Sequence, residues 1–140
     1  MIAGDGTDLG DPVNVNDVSV GNWIKEEGYV SSAINLKVTP EIIEYLIEHN
    51  GIDEDDLYYP IKLTPEILLK CGFERVQEGY WEYYSKEYTH VCVKNKFVLT
   101  GLDTNMFGYL EGNLNVHFYY LHHLQNFWRD ITRTELELTL

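Results

Sequence analysis

The strongest hydrophobic pattern in this chain lies near its C-terminus. From about residue 118 to residue 132, at about 100° per residue, Tyr120, Leu121, Leu124, Phe127, Trp128 and Ile131 fall within an arc of about 120°. Tyr119, His122, His123, Asn126, Arg129, Asp130 and Arg133 take the other side. The spacing predicts a helix with one face packed on a sheet and the other turned to water or a partner. Leu121, Leu124 and Trp128 are expected to be buried. Gln125, at the edge of the apolar arc, is expected to bond to sheet backbone, as a buried amide must. Glu135-Leu-Glu-Leu then alternates like a short closing strand.

Between Phe73 and His117 the period is two. Residues 80–85, 88–93 and 96–100 predict strands, with Lys94-Asn95 as a hairpin-like turn. Residues 107–110 and 114–118 add one or two more around Glu111-Gly-Asn113. This is the pattern of an antiparallel meander of four or five strands.

The first part of the chain is less regular. Ser19-Val-Gly-Asn-Trp-Ile-Lys25 reads as a short strand, with residues 29–34 as its partner across Glu27-Gly28. Thr39-Pro-Glu opens a helix with a capping hydroxyl, a first-turn proline and an acid at the positive end, and Asn50-Gly51 closes it. An acidic loop, 51–56, precedes an extended stretch, 57–63. Thr64-Pro-Glu repeats the same helix start, and this second helix stops at Gly72. The likeness covers only the start and the flanks differ, so it reads as shared grammar rather than duplication. Residues 1–17 hold three glycines, four aspartates, Pro12 and two asparagines with no period, which predicts a flexible acidic tail. The expected fold class is α+β. Residues 18–140 form one domain, with an acidic part at 18–63 and an aromatic-rich sheet and C-terminal helix at 64–140.

Composition adds charge to this outline. At 140 residues and 44% hydrophobic, the chain can bury a real core. Its net charge of −13 disfavours binding along DNA or RNA backbones and on anionic membranes. Residues 1–56 carry 13 acids and 2 bases, whereas residues 57–140 carry 10 acids and 8 bases. The early part therefore repels polyanions and attracts basic surfaces. Asp53, Glu54, Asp55 and Asp56 form its densest acidic run and are the candidate partner surface. Cys71 and Cys92 are too few for a disulfide framework and read as free thiols of a reducing cytoplasm. No apolar run approaches the roughly 20 residues of a membrane span, and the start lacks a basic region followed by an apolar one.

The candidate chemistry is sparse. Tyr119, His122, Asn126, Arg129 and Arg133 are spaced 3, 4, 3 and 4, which stacks them on one helix face. A phenol, an imidazole, an amide and two guanidinium forks suit a phosphate, a carboxylate or a partner's acidic edge, and nearby tyrosines could stack on a base. That makes the stripe the candidate site for a nucleotide-like ligand. His117, His122 and His123 invite a metal reading, with His90 as a further donor, but no two of the three sit four apart on a helix face, so no metal ligand is assigned; a metal-assisted hydrolase would use His90, His117 and His122. Asp53-Glu-Asp-Asp56 lacks the glycine and the bidentate glutamate of a calcium loop. Cys92, between Val91 and Val93, is expected to pack as a small apolar residue, and Cys71 lacks a helix N-terminus to lower its pKa. No phosphate loop or nucleophile elbow occurs. Binding without catalysis or cofactor is the expectation, with a metal-assisted hydrolase as rival. Alternation also sends Trp81, Tyr83 and Ser85 to one sheet face and Tyr80, Glu82 and Tyr84 to the other. A helix covers only one face, so a homodimer through the second, nearly neutral one is expected.

Three segments carry a family likeness. Val20-Gly-Asn-Trp-Ile, Pro60-Ile-Lys-Leu-Thr-Pro-Glu-Ile-Leu-Leu-Lys-Cys-Gly-Phe73 and Tyr120-Leu-His-His-Leu-Gln-Asn-Phe together resemble small proteins of unknown function encoded in phages and prophages of gut bacteria. Lys62 stands where those proteins usually have proline, and Arg133 where they tend to have glycine after the helix. The resemblance implies a mobile-element origin and an α+β fold, and it supplies no catalytic residue. In that setting the partner is a host or phage protein, the small-ligand alternative is a nucleotide-like signalling molecule, and a virion component is a third role. The expected location is the cytoplasm of a bacterial host cell.

Overall fold

A computed structural model describes residues 11–26, 34–49, 58–101, 106–111 and 114–140. Among the described residues, three helices, a three-stranded sheet and a five-stranded sheet, both antiparallel, make an α+β fold. The chain divides into two compact units. One comprises Met1–Ile61, Tyr120–Asn126 and Leu140, and the other Lys62–Tyr119 and Phe127–Thr139.

In the first unit, β1 (Trp23–Glu26) lies between β2 (Ile34–Lys37) and β3 (Tyr58–Tyr59). The partner of β1 thus begins where the 29–34 strand was expected to end, and residues 27–33 lie outside the described ones. Nor does the first strand start at Ser19. The Asn22 side chain accepts from Ser19 N at 2.7 Å and closes a turn, with Gly21 at φ +93°. Only glycine adopts that backbone without strain, so pairing is delayed to Trp23. Helix α1 (Pro40–His49) is capped by Thr39, whose hydroxyl accepts from Ile42 N at 3.3 Å. Its inner side places Ile42, Ile43, Tyr45 and Leu46 against Ile24, Val38 and Tyr58. Of the stretch read as a tail, residues 1–10 lie outside the described ones. Val13 is buried and donates to Tyr58 O at 3.0 Å, and Val15–Asp17 make a 3₁₀ turn capped by Asn14. Two buried valines, Val13 and Val18, anchor this stretch despite its polar neighbours.

In the second unit, β4 (Glu74–Glu78), β5 (Trp81–His90), β6 (Val93–Gly101), β7 (Phe107–Glu111) and β8 (Leu114–Phe118) pair in sequence order, as the predicted meander requires. The hairpin differs. Residues 80–85 and 88–93 do not form two strands; β5 runs unbroken to His90, and the turn is Val91-Cys92 rather than Lys94-Asn95. Core burial decides this. With the turn at 91–92, Phe97 and Leu99 fall opposite Lys86 and Tyr84. A turn at 94–95 would set them opposite Cys92 and His90, out on the exposed end. Both side chains are fully buried, and their burial outweighs a local turn preference.

Helix α2 (Pro65–Lys70) is capped by Thr64, and its end is closed by Lys86, whose ammonium donates to Cys71 O at 2.6 Å and lies 5.2 Å over the Trp128 ring. Helix α3 (Leu121–Thr132) begins three residues later than its pattern suggested, because Phe118 is taken by β8. Its second half packs on the five-stranded sheet: Trp128 meets Phe97 at 5.2 Å and Phe73 at 6.0 Å, and Phe127 meets Tyr109 at 5.2 Å. Leu121, Leu124 and Trp128 are all buried, as predicted. Residues 135–138 form no strand, yet their alternation survives as burial of Leu136 and Leu138.

Candidate functional site

The five residues of the polar stripe do not share an exposed face. Tyr119 precedes α3, is exposed, and its carbonyl accepts from Leu63 N at 2.7 Å. His122 is only 3% exposed. Its ring stacks on Tyr120 and lies 4.2 Å from that of His123, and its Nδ1 has no hydrogen-bond partner. Burial drives the imidazole pKa down to about 4, with the neighbouring His123 charge adding to the effect and Asp17 opposing it. It is therefore neutral at pH 7. Asn126 accepts from the Asn22 amide at 3.0 Å and donates to Asp17 O at 2.8 Å. Arg129 lies 3.7 Å from Glu135, and Arg133 is exposed beyond the helix end at φ +60°.

The physical reason is that the first half of α3 is covered on more of its circumference than one apolar arc. Gln125 Oε1 accepts from Trp23 N at 2.8 Å, which is the sheet-backbone bond expected of it. Asn22 and Asp17 then meet the flank that periodicity alone assigns to solvent. His122 and Asn126 are thus packing and positioning groups of the first unit.

Asp53, Glu54, Asp55 and Asp56 lie outside the described residues. His90 and His117 are exposed on β5 and β8, and no group of three or more His, Cys, Asp or Glu among the described residues is placed to hold a metal ion. Cys71 is fully buried, and burial pushes its thiol up to about 12. Cys92 is exposed in the hairpin turn instead of packing as an apolar residue, because the turn sits at residues 91 and 92. No helix among the described residues is long and apolar enough to cross a membrane.

A different surface emerges in the second unit. Alternation and register put Val76, Tyr83 and Thr100 in one row on the sheet face opposite Phe97 and Leu99, with Trp81 beside Tyr83. The Trp81 and Tyr83 rings are 4.4 Å apart, Trp81 Nε1 donates to Thr100 at 3.4 Å, and the Tyr83 hydroxyl donates to Glu78 at 3.1 Å. Trp81 is 44% exposed and Leu110, on the same face of β7, 45%. Tyr84 points the other way and meets Phe107 edge-on at 5.9 Å. The split between Trp81/Tyr83 and Tyr84 was legible from alternation, but the accompanying charges depend on register. The same face of β6 carries Lys94 and Lys96, and that of β4 carries Glu74 and Glu78.

Comparison of this chain with protein-family models, with curated proteins and with solved structures finds no match.

Proposed function

We propose that this chain acts by binding, without catalysis, and that its target is a host or phage protein with a basic surface, met in the cytoplasm of a bacterial host cell. One observation carries the reading. Thirteen of the 23 acids but only two of the ten bases fall in residues 1–56, and such a field draws in cationic surfaces. The acidic run 53–56 is the proposed point of contact. The state of Cys71 supports a binding role: burial holds it as the neutral thiol, whereas a thiol nucleophile must ionise. The small-ligand alternative loses its motive with His122 and Asn126 engaged inside the first unit.

The test is capture from host lysate at low salt and at about 0.5 M, where screening shortens to about 4 Å. Wild type is compared with a chain carrying Asp53→Asn, Glu54→Gln, Asp55→Asn and Asp56→Asn. A specific protein held by wild type at low salt, and lost in either high salt or the neutralised variant, supports the proposal. Capture indifferent to both overturns it. Recovery of the chain in purified virions assigns it to the particle instead.

A further inference from the structure

We propose that two copies of this chain pair through the sheet face that α3 leaves open. In that pairing, the lysines of one copy's β5–β6 hairpin sit on the carboxylates and rings at the β4–β5 end of the other. The pairing goes beyond the partner reading and does not depend on it.

The shape of the sheet is the first argument. β4 pairs only with residues 81–85 of β5, and β7 only with residues 99–101 of β6. Residues 86–98 therefore extend past both neighbouring strands; Lys86, Tyr88 and Phe97 pack on Trp128, and the two-stranded ribbon beyond them is an exposed arm. Everything from Thr89 to Lys96 is exposed, and Val91 is 79% exposed at its tip. A two-stranded ribbon is marginal alone in water, and an apolar tip on it favours contact with another surface.

Charge identifies the other surface. On the open face the arm carries Lys94 and Lys96, with Glu87 paired opposite Lys96. On the same face β4 carries Glu78, opposite Trp81 at the far end, and Glu74, opposite Ser85 near the middle. The lysines thus crowd one end of the face, and the acids of β4 run from its middle to the other end. A two-fold axis between two such faces, perpendicular to the strands, reverses strand direction and brings each arm over the other copy's acidic end. Stacking the strands in the same direction would set lysine on lysine.

The acidic end has the chemistry an ammonium needs. Trp81 offers the strongest cation-binding ring, and Tyr83 beside it donates its hydroxyl to Glu78, which enriches that ring and holds the carboxylate in place. The middle of the face is apolar or small at Val76, Tyr83, Val98 and Ser85, with Glu74 on its β4 edge. Five strands about 4.8 Å apart, each with five or more residues at about 3.3 Å, make a face of roughly 400 Å² in plan. Two such corrugated faces together approach the roughly 1,000 Å² of a specific but weak interface. Repulsion is small here, because residues 57–140 carry only −2 of the net −13.

The experiment is light scattering of the full chain across the micromolar range at about 0.15 M salt. The mass is expected to rise with concentration from 16.3 kDa toward twice that value. Lys94→Glu with Lys96→Glu should weaken association at least tenfold, and so should Trp81→Ala. Adding Glu74→Lys and Glu78→Lys to the double lysine variant should restore it, which also shows that the reversed chain folds. A mass of 16.3 kDa throughout overturns the proposal. So does a dimer indifferent to the lysine reversal, a reversal that the second pair fails to rescue, or growth beyond two copies.

Discussion

Cys71 and Cys92 have the same side chain and opposite surroundings. Cys71 closes α2 in a fully buried position where its thiolate is strongly disfavoured, while Cys92 stands in the open at a hairpin turn. A thiol reagent at about pH 8 should therefore titrate one cysteine in the folded chain and two after unfolding. Cys92→Ser should abolish the fast reaction, and two fast thiols in the wild type would contradict the burial of Cys71. Arg133 is a second residue whose role lies in its backbone. It holds φ +60° one residue past α3, and its N–H donates to Arg129 O at 2.8 Å, closing the helix with a left-handed residue. Glycine adopts that conformation without the clash a Cβ brings. Arg133→Gly should stabilise the chain by about 1 kcal/mol in urea unfolding, and destabilisation would mean that the side chain matters more than the backbone.

At the scale of elements, local signals and tertiary ones separate clearly. Both Thr-Pro-Glu starts open helices with the threonine hydroxyl as cap, because a cap involves only neighbours along the chain. The hairpin could not be placed in this way. Val91-Cys92 is an unfavourable pair for two positive φ angles, and it is imposed by the register that buries Phe97 and Leu99. Gln125 sits between the two cases. Its position at the edge of the apolar arc marked it as a backbone partner, but only the fold shows that the bond goes to Trp23 N. Gln125→Leu keeps the volume and leaves a buried N–H on β1 unsatisfied. It should cost about 1–3 kcal/mol in chemical denaturation, whereas a neutral outcome would mean that Trp23 N finds another acceptor.

For the whole molecule the most general consequence is a pH dependence. The folded His122 has a pKa of about 4 against the ordinary 6.5, so between those values the unfolded chain binds a proton that the folded chain excludes. The stability this provides is complete above about pH 6.5 and is lost as pH falls toward 4. Between pH 7 and pH 5 the loss should be on the order of 2 kcal/mol, and His122→Leu should remove most of it. Equal slopes for wild type and variant would show His122 already solvated. The α+β class, the meander, the capped helix starts and the burial of Leu121, Leu124 and Trp128 were all legible along the chain. Each of these follows from periodicity or from groups a few residues apart. The hairpin register, the burial of Val13 and the fate of the polar stripe on α3 depend instead on contacts between residues distant in the chain. A helical wheel sorts residues by angle, and it carries no information on how many sides of the helix the rest of the chain will cover. Asn22, Trp23 and Asp17, more than a hundred residues earlier, supply that cover, and they turn His122 and Asn126 from candidate ligand groups into parts of the packing.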